Sequence, residues 1–318
     1  MTKSILALLL ILVLASACAT ASPAPTVTPE ATLTPTPEVP MHPEFLFKIT
    51  NDPDGLKDPY GAAVNSAGHV YVTDAGNGRV LVFDRNGNQI SAWDAQGSEP
   101  GQFKSLGFGA LAIDSQDNVF VVDNGNHRIQ KFDRDGNFVT QWGSEGKDDG
   151  QFVRAIGIAV DRDGNVYVTD DGNPYVQKFD NDGNFLMRFG GKGNADGQFE
   201  HATGIAVDAQ GNIFVADYEN KRVQKFDASG TFVSAWTMGN DVGTAGIPEG
   251  IAVDSMGRVY VTDYQLGRVE IFSNDGVFLG AWGSIGMFRR PTAICFDTEV
   301  RFFVVNQSGN RVDVFHLP

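Results

Sequence analysis

The sequence predicts an all-β fold: a six-bladed β-propeller over residues 44–318, in which the N-terminal strand completes the last blade. Three observations lead there. One motif is written six times, no helical period appears after residue 45, and the final copy ends one strand short.

The first elements lie outside that fold. MTKSILALLLILVLASACAT has one cation, Lys3, then an unbroken run of ten apolar residues from Ile5 to Leu14, then Ala15-Ser16-Ala17-Cys18. Such a run is too short to span a bilayer but suits the hydrophobic region of a secretory signal. Small residues leading into a cysteine resemble a bacterial lipobox, which implies cleavage before Cys18 and lipidation of its sulfur. Ala15 departs from the leucine usual in that motif, and an ordinary signal peptide with an incidental cysteine is the competing reading. Residues 1–17 are therefore expected to be a lipoprotein signal peptide. Residues 18–43 are rich in Pro and Thr, lack an apolar period, and read as an extended spacer starting at the lipidated Cys18. The expected location is the bacterial cell envelope, extracytoplasmic and bound to the membrane through the lipid anchor only. The one remaining cysteine, Cys295, has no partner for an internal disulfide.

The repeats follow. GIAVDRDGNVYVTD (157–170) recurs as GIAVDAQGNIFVAD (204–217) and GIAVDSMGRVYVTD (250–263). Looser copies are GAAVNSAGHVYVTD (61–74), ALAIDSQDNVFVVD (110–123) and AICFDTEVRFFVVN (293–306). The closing position steps through Asp74, Asp123, Asp170, Asp217, Asp263 and Asn306, 43 to 49 residues apart. Each unit holds four β runs. Asp-Gly turns such as Asp163-Gly164-Asn165 join the first to the second and the third to the fourth. Four short antiparallel strands per unit favour a closed ring of blades over a solenoid. The sixth copy stops at His316-Leu317-Pro318 after three strands, and PEFLFKITNDPDGL (43–56) matches the missing tail, with Ile49 in the place of Trp142.

Asp123-Asn-Gly-Asn-His-Arg128 looks like a site, but it recurs as Asp74/Arg79, Asp217/Arg222 and Asp263/Arg268. A catalytic group is needed once and a staple in every blade. The expectation is a bidentate ion pair pinning each corner between second and third strands.

The whole pattern, GIAVDxxGNVYVTDxxNxRVQKFDxxGxF followed by WG and GQF, resembles the NHL-repeat family of β-propellers over essentially all of residues 45–318. The resemblance implies the fold. It leaves function open, because NHL propellers include protein- and RNA-binding platforms, extracellular sensors and a few metal-dependent lyases.

Candidate functional residues lie where the symmetry breaks. The second-to-third loops and the blade-to-blade loops share one face, around one mouth of the central channel. Just before each first strand stand Tyr60, Gly109, Ile156, Thr203, Glu249 and Thr292, with Arg154, His201 and Arg290 two residues earlier in their blades. Blade 3 puts Tyr175 in the arginine position and Asp171 beside Asp170; Tyr218 and Tyr264 take the place of Asp171 in the next two blades. The expected ligand-binding set is thus Tyr60, Arg154, Asp171, Tyr175, His201, Tyr218, Glu249, Tyr264 and Arg290. An acid, bases and aromatics converging there suit a protein, peptide or glycan ligand bound without chemistry.

The alternative is a metal-dependent lyase or hydrolase at the same mouth. Of His42, His69, His127, His201 and His316 only His201 is near it, and Glu249 alone supports a lactonase-like calcium site weakly. DRDGN and DNDGN place glycine fourth rather than sixth and lack a closing glutamate, so they read as hairpin turns rather than calcium loops. No catalytic residue, metal ligand or cofactor is assigned. A net charge of −15 repels phosphate backbones and argues against nucleic acid. The chain is expected to be a monomer.

Overall fold

The computed structural model describes residues 43–50, 55–239 and 241–317, all within the compact unit Val39–Pro318. The expected signal peptide, Cys18 and nearly all of the spacer lie outside the described residues.

Six four-stranded antiparallel sheets form the fold. In the third blade the strands are Ala155–Val160, Val166–Asp170, Tyr175–Phe179 and Phe185–Gly190, neighbours in chain order. The first strands of successive blades touch one another in cyclic order, and that of blade 6, Pro291–Phe296, meets that of blade 1, Pro59–Val64. The ring closes as the sequence predicts. Glu44–Ile49 pairs with Arg311–His316 as the outermost strand of blade 6. Ile49 stands opposite Val312, just as Trp142 stands opposite Ile129 in blade 2, so the match between residues 43–56 and a repeat tail is correct in register.

Packing explains the letters of the motif. The core consists of six apolar layers between adjacent blades; the closing one joins Ile49, Phe303, Val305 and Val312 to Val70, Val72, Leu81 and Phe83. The phenylalanine of each GQF enters such a layer: Phe103, Phe152 and Phe199 are fully buried and lie 5.6–5.9 Å, ring centre to ring centre, from Phe132, Phe179 and Phe226. The glycine that opens GIAV is needed for close approach on the channel side. A Cβ on Gly157 would sit 2.2 Å from the Thr203 carbonyl oxygen, and one on Gly204 2.1 Å from that of Glu249.

The same stretch carries an irregularity in register in five blades, between Pro59 and Ala62, Ala155 and Ile158, Ala202 and Ile205, Pro248 and Ile251, and Pro291 and Ala293. The amides it frees on Gly61, Gly157 and Gly250 donate to the Oγ1 of Thr73, Thr169 and Thr262 at 2.8 Å. Tyr60, Ile156, Thr203, Glu249 and Thr292 therefore lie inside the first strands, not just before them. A break in the ladder at that point re-aims their side chains.

The corner motif is structural, but its geometry corrects the expected bidentate pair. Asp123 is fully buried, and its Oδ2 accepts from Arg128 Nε at 2.8 Å, Asn126 Nδ2 at 2.8 Å and Gln130 Nε2 at 3.1 Å. The terminal guanidinium nitrogens go elsewhere, to the carbonyls of Ser98, Glu99 and Gln102 and to the Gln141 side chain. One arginine thus ties the corner to the blade-to-blade loop, and Arg222 does the same in blade 4. Blade 5 breaks the rule. Arg268 Nε lies 4.0 Å from Asp263, and the guanidinium instead binds Glu270 and Asp241, each at 2.6 Å.

Candidate functional site

The loops of the mouth face are brought together by one recurring backbone bond. The residue after the closing Asp or Asn donates its amide to a carbonyl of the incoming blade-to-blade loop: Asp171 to Arg154, Tyr218 to His201, Tyr264 to Ile247, Gln307 to Arg290. In these four blades the bond pairs the variable position of the corner with a residue of the incoming loop. It turns scattered sequence positions into a rim.

Inside that rim lies a cavity of about 220 Å³. Below it the channel narrows to about 80 Å³ between Leu111, Ile158, Ile205, Ile251 and Ile294, and Tyr60 and Glu249 line both spaces. One wall of the cavity is aromatic. Tyr60 and Phe108 meet edge to face at 5.6 Å, as do Tyr218 and Tyr264 at 5.9 Å, and the Arg290 guanidinium lies 5.7 Å from the Tyr264 ring centre. Charged side chains complete the lining. Arg154 pairs with Asp171, whose Oδ1 lies 3.6 Å from His201 Nδ1, and His201 is also 3.9 Å from Glu219.

Glu249 forms the floor. Its side chain is buried, and its Oε1 accepts the Tyr60 hydroxyl across the ring. Burial penalises the carboxylate more than this hydrogen bond stabilises it, which pushes the Glu249 pKa up to about 7. The same burial, and then the charge of Glu249, push Tyr60 well above its ordinary value. Tyr218 is raised to about 12 by burial first and by Glu249 second. Burial likewise raises Tyr264, with Arg290 pulling the other way. No Arg, Lys or His among the described residues forms an ion pair with Glu249.

The cavity is thus lined by seven of the nine residues singled out from the sequence: Tyr60, Arg154, Asp171, His201, Tyr218, Glu249 and Tyr264. Arg290 stands next to it, in an adjoining groove shared with Tyr218 and Tyr264. Tyr175 is a correction. It pairs with Gly190 on the outermost strand, beneath the Arg188 guanidinium at 4.9 Å, and does not line the cavity. The cause is its strand position. Tyr175 stands opposite Asp170 on the third strand just as Arg128 stands opposite Asp123, and no residue at that position lines the cavity. Asp170, left without an arginine, is satisfied by the amides of Val153, Arg154 and Gly172 at 2.8–3.1 Å.

Phe108 and Gln307 also line the cavity and were not singled out. Gln307 occupies the same corner position as Asp171, Tyr218 and Tyr264, so the repeat alignment contained it. Phe108 comes from the longest interval between closing residues, 49 positions from Asp74 to Asp123, where the first strand is cut to Leu111–Ile113. A length anomaly was the available signal. Among the described residues no three His, Cys, Asp or Glu side chains gather as a metal site.

Fold and site together define a six-bladed propeller with an asymmetric cavity of about 220 Å³ at a channel mouth. The NHL repeat family model matches residues 56–83, 110–132, 199–226 and 246–272, and the chain is an NHL-repeat β-propeller. Solved structures share the architecture. A streptogramin B lyase superposes with a TM-score of 0.61 at 14% identity, over 87% of this chain and 98% of that one. A gluconolactonase from Xanthomonas campestris gives 0.61 at 20% identity, over 82% and 86%. A virginiamycin B lyase from Staphylococcus aureus gives 0.60 at 14%, over 86% and 98%. At such identities the likeness is one of fold. A search of curated proteins found no match.

Proposed function

We propose that the protein is a binding module, tethered to a membrane through a lipidated Cys18, that takes part of a protein, peptide or glycan ligand into the mouth cavity without chemical conversion. The supporting observation is the cavity itself, lined by aromatic rings and an Arg-Asp-His cluster on a scaffold otherwise repeated blade by blade. At about 220 Å³ it is smaller than the ~300–1,000 Å³ that encloses a drug-sized molecule, so it suits one side chain or one small group of a larger ligand. The test is capture from cell-envelope extract by the wild-type chain and by Tyr218→Ala, with mass spectrometry of what is retained. A ligand held equally by both proteins contradicts the reading. Tethering is tested separately by Cys18→Ser, which should free the protein from membranes or leave the precursor uncleaved. A soluble, unacylated wild type contradicts that part.

One observation favours a second reading. A buried carboxyl whose pKa is about 7, hydrogen-bonded to a tyrosine in a cavity open to solvent, is suited to proton transfer at neutral pH. A hydrolase or lyase working this way would rely on Glu249 rather than on a metal. Turnover of a lactone or ester panel that disappears in Glu249→Gln would favour it over the binding module.

A further inference from the structure

The Glu249 carboxyl is an unusual object. It is 6% exposed, and its Oε1 holds the Tyr60 hydroxyl, but no described donor reaches its Oε2. A buried carboxylate without a positive partner is costly, and proteins normally supply an arginine or lysine, as this one does for Asp74, Asp123 and Asp217. Around Glu249 the protein supplies aromatic rings instead. Tyr60 faces it from blade 1, Tyr218 and Tyr264 from the corners of blades 4 and 5, and Phe108 closes the side beyond Tyr60. Thr203 contributes its hydroxyl to the Glu249 carbonyl from the neighbouring first strand. The nearest cations belong to other partners: Arg290 rests against the Tyr264 ring, and Arg154, with His201, is turned to Asp171.

Ring faces carry negative charge and attract cations, most strongly where water is excluded. Arg290 against Tyr264 shows that attraction within the chain itself. We propose that the mouth cavity is an aromatic cage for an organic ammonium group, a lysine-type amine or a quaternary amine, with the Glu249 carboxylate as its counter-ion. The proposal rests on the binding reading above and names the chemistry of the ligand. The group would lie between the Tyr60/Phe108 pair and the Tyr218/Tyr264 pair with its charge over Oε2, and the rest of the ligand would leave along the groove lined by Tyr218, Tyr264 and Ile247.

The proposal has a pH signature. The cation prefers the ionised carboxyl, whose pKa is pushed up to about 7 by burial. With about 9% of the free protein ionised at pH 6 and about 91% at pH 8, affinity should rise about tenfold between them, and binding at pH 6 should release a proton.

The experiment is calorimetry on the full chain in a non-ionic detergent. The probes are choline, Nα-acetyl-lysine amide and the neutral choline isostere 3,3-dimethylbutan-1-ol, each at pH 6 and pH 8 in two buffers of different ionisation enthalpy. Support is binding of at least one cation, about tenfold tighter at pH 8, at least tenfold tighter than the isostere, and with a buffer-dependent heat at pH 6. Choline and the lysine amide tell a quaternary from a primary amine. Glu249→Gln should remove the pH dependence and weaken binding at pH 8, and Tyr218→Phe should retain what Tyr218→Ala loses. Equal binding of the isostere overturns the cation but leaves the cavity as a binding site. Calcium displacing choline in the wild type and failing to bind Glu249→Gln overturns it in favour of a metal ligand. If neither cation binds, the inference falls, while the capture experiment still judges the binding reading.

Discussion

Glu249→Gln removes the titrating group and keeps its size and an oxygen for the Tyr60 hydroxyl, so it isolates what the buried acid does to stability. The folded-state pKa is about 7 against an ordinary value of 4.5. This is the reverse of the usual depressed carboxylate. Below pH 4.5 both folded and unfolded chains hold the proton. Between there and about 7 the unfolded chain releases it while the folded protein keeps it, so stability falls as pH rises; above about 7 the full cost is present. At ~1.4 kcal/mol per pH unit the cost reaches about 3 kcal/mol, with about 2–3 kcal/mol of it incurred between pH 5 and pH 8. The depressed aspartates of the turns, Asp84, Asp133, Asp180 and Asp227, work in the opposite sense. Their stabilisation is lost only as pH falls below 3.8, outside this window. Burial also raises Asp170 and Glu270, but both are present in wild type and variant and cancel in the comparison. Urea titrations of both proteins at pH 5, 6, 7 and 8 measure the difference. The variant should gain about 2–3 kcal/mol on the wild type from pH 5 to pH 8. A difference constant within ~0.5 kcal/mol across that range would refute the buried, unpaired carboxyl.

Other consequences are sharp enough to check. Arg222→Ala should cost about 2–3 kcal/mol by denaturant titration, because Asp217 keeps Asn220, Gln224 and the Glu200 amide as donors. Arg222→Lys should not rescue it, since a lysine cannot bridge the carboxylate and two carbonyls at once. Deleting 45–49 should strip the outer strand from blade 6, expose the edge at Arg311–His316 and cause aggregation on light scattering; a deletion that melts like the wild type contradicts closure by that strand. Once a ligand is in hand, Tyr218→Ala should cost about 1–3 kcal/mol of affinity, and Tyr175→Ala and Asn184→Ala less than ~0.5. Calorimetry showing the reverse order would put the site on the wrong face.

Everything that repeats was legible in the chain before folding was considered. Blade count, ring closure, the register of Ile49 and the structural role of the Asp/Arg corner follow from local patterns that one packing problem selects from blade to blade. Six copies average out the ambiguity that a single strand of five residues would leave. The mouth was legible as a set of irregular positions, because one backbone bond joins each corner to the loop before it in four of the blades. Only the tertiary structure decided how those positions combine. The Tyr60 hydroxyl reaches Glu249 across 189 residues of sequence, and no local pattern predicts that a first strand on one side of the ring faces another. The third-strand register carries Tyr175 away from the cavity, and Arg268 abandons Asp263 because Glu270 and Asp241 compete for it. The elevated pKa of Glu249 arises in the same way. It measures the water excluded by neighbours from other blades, a quantity that exists only after the ring has closed.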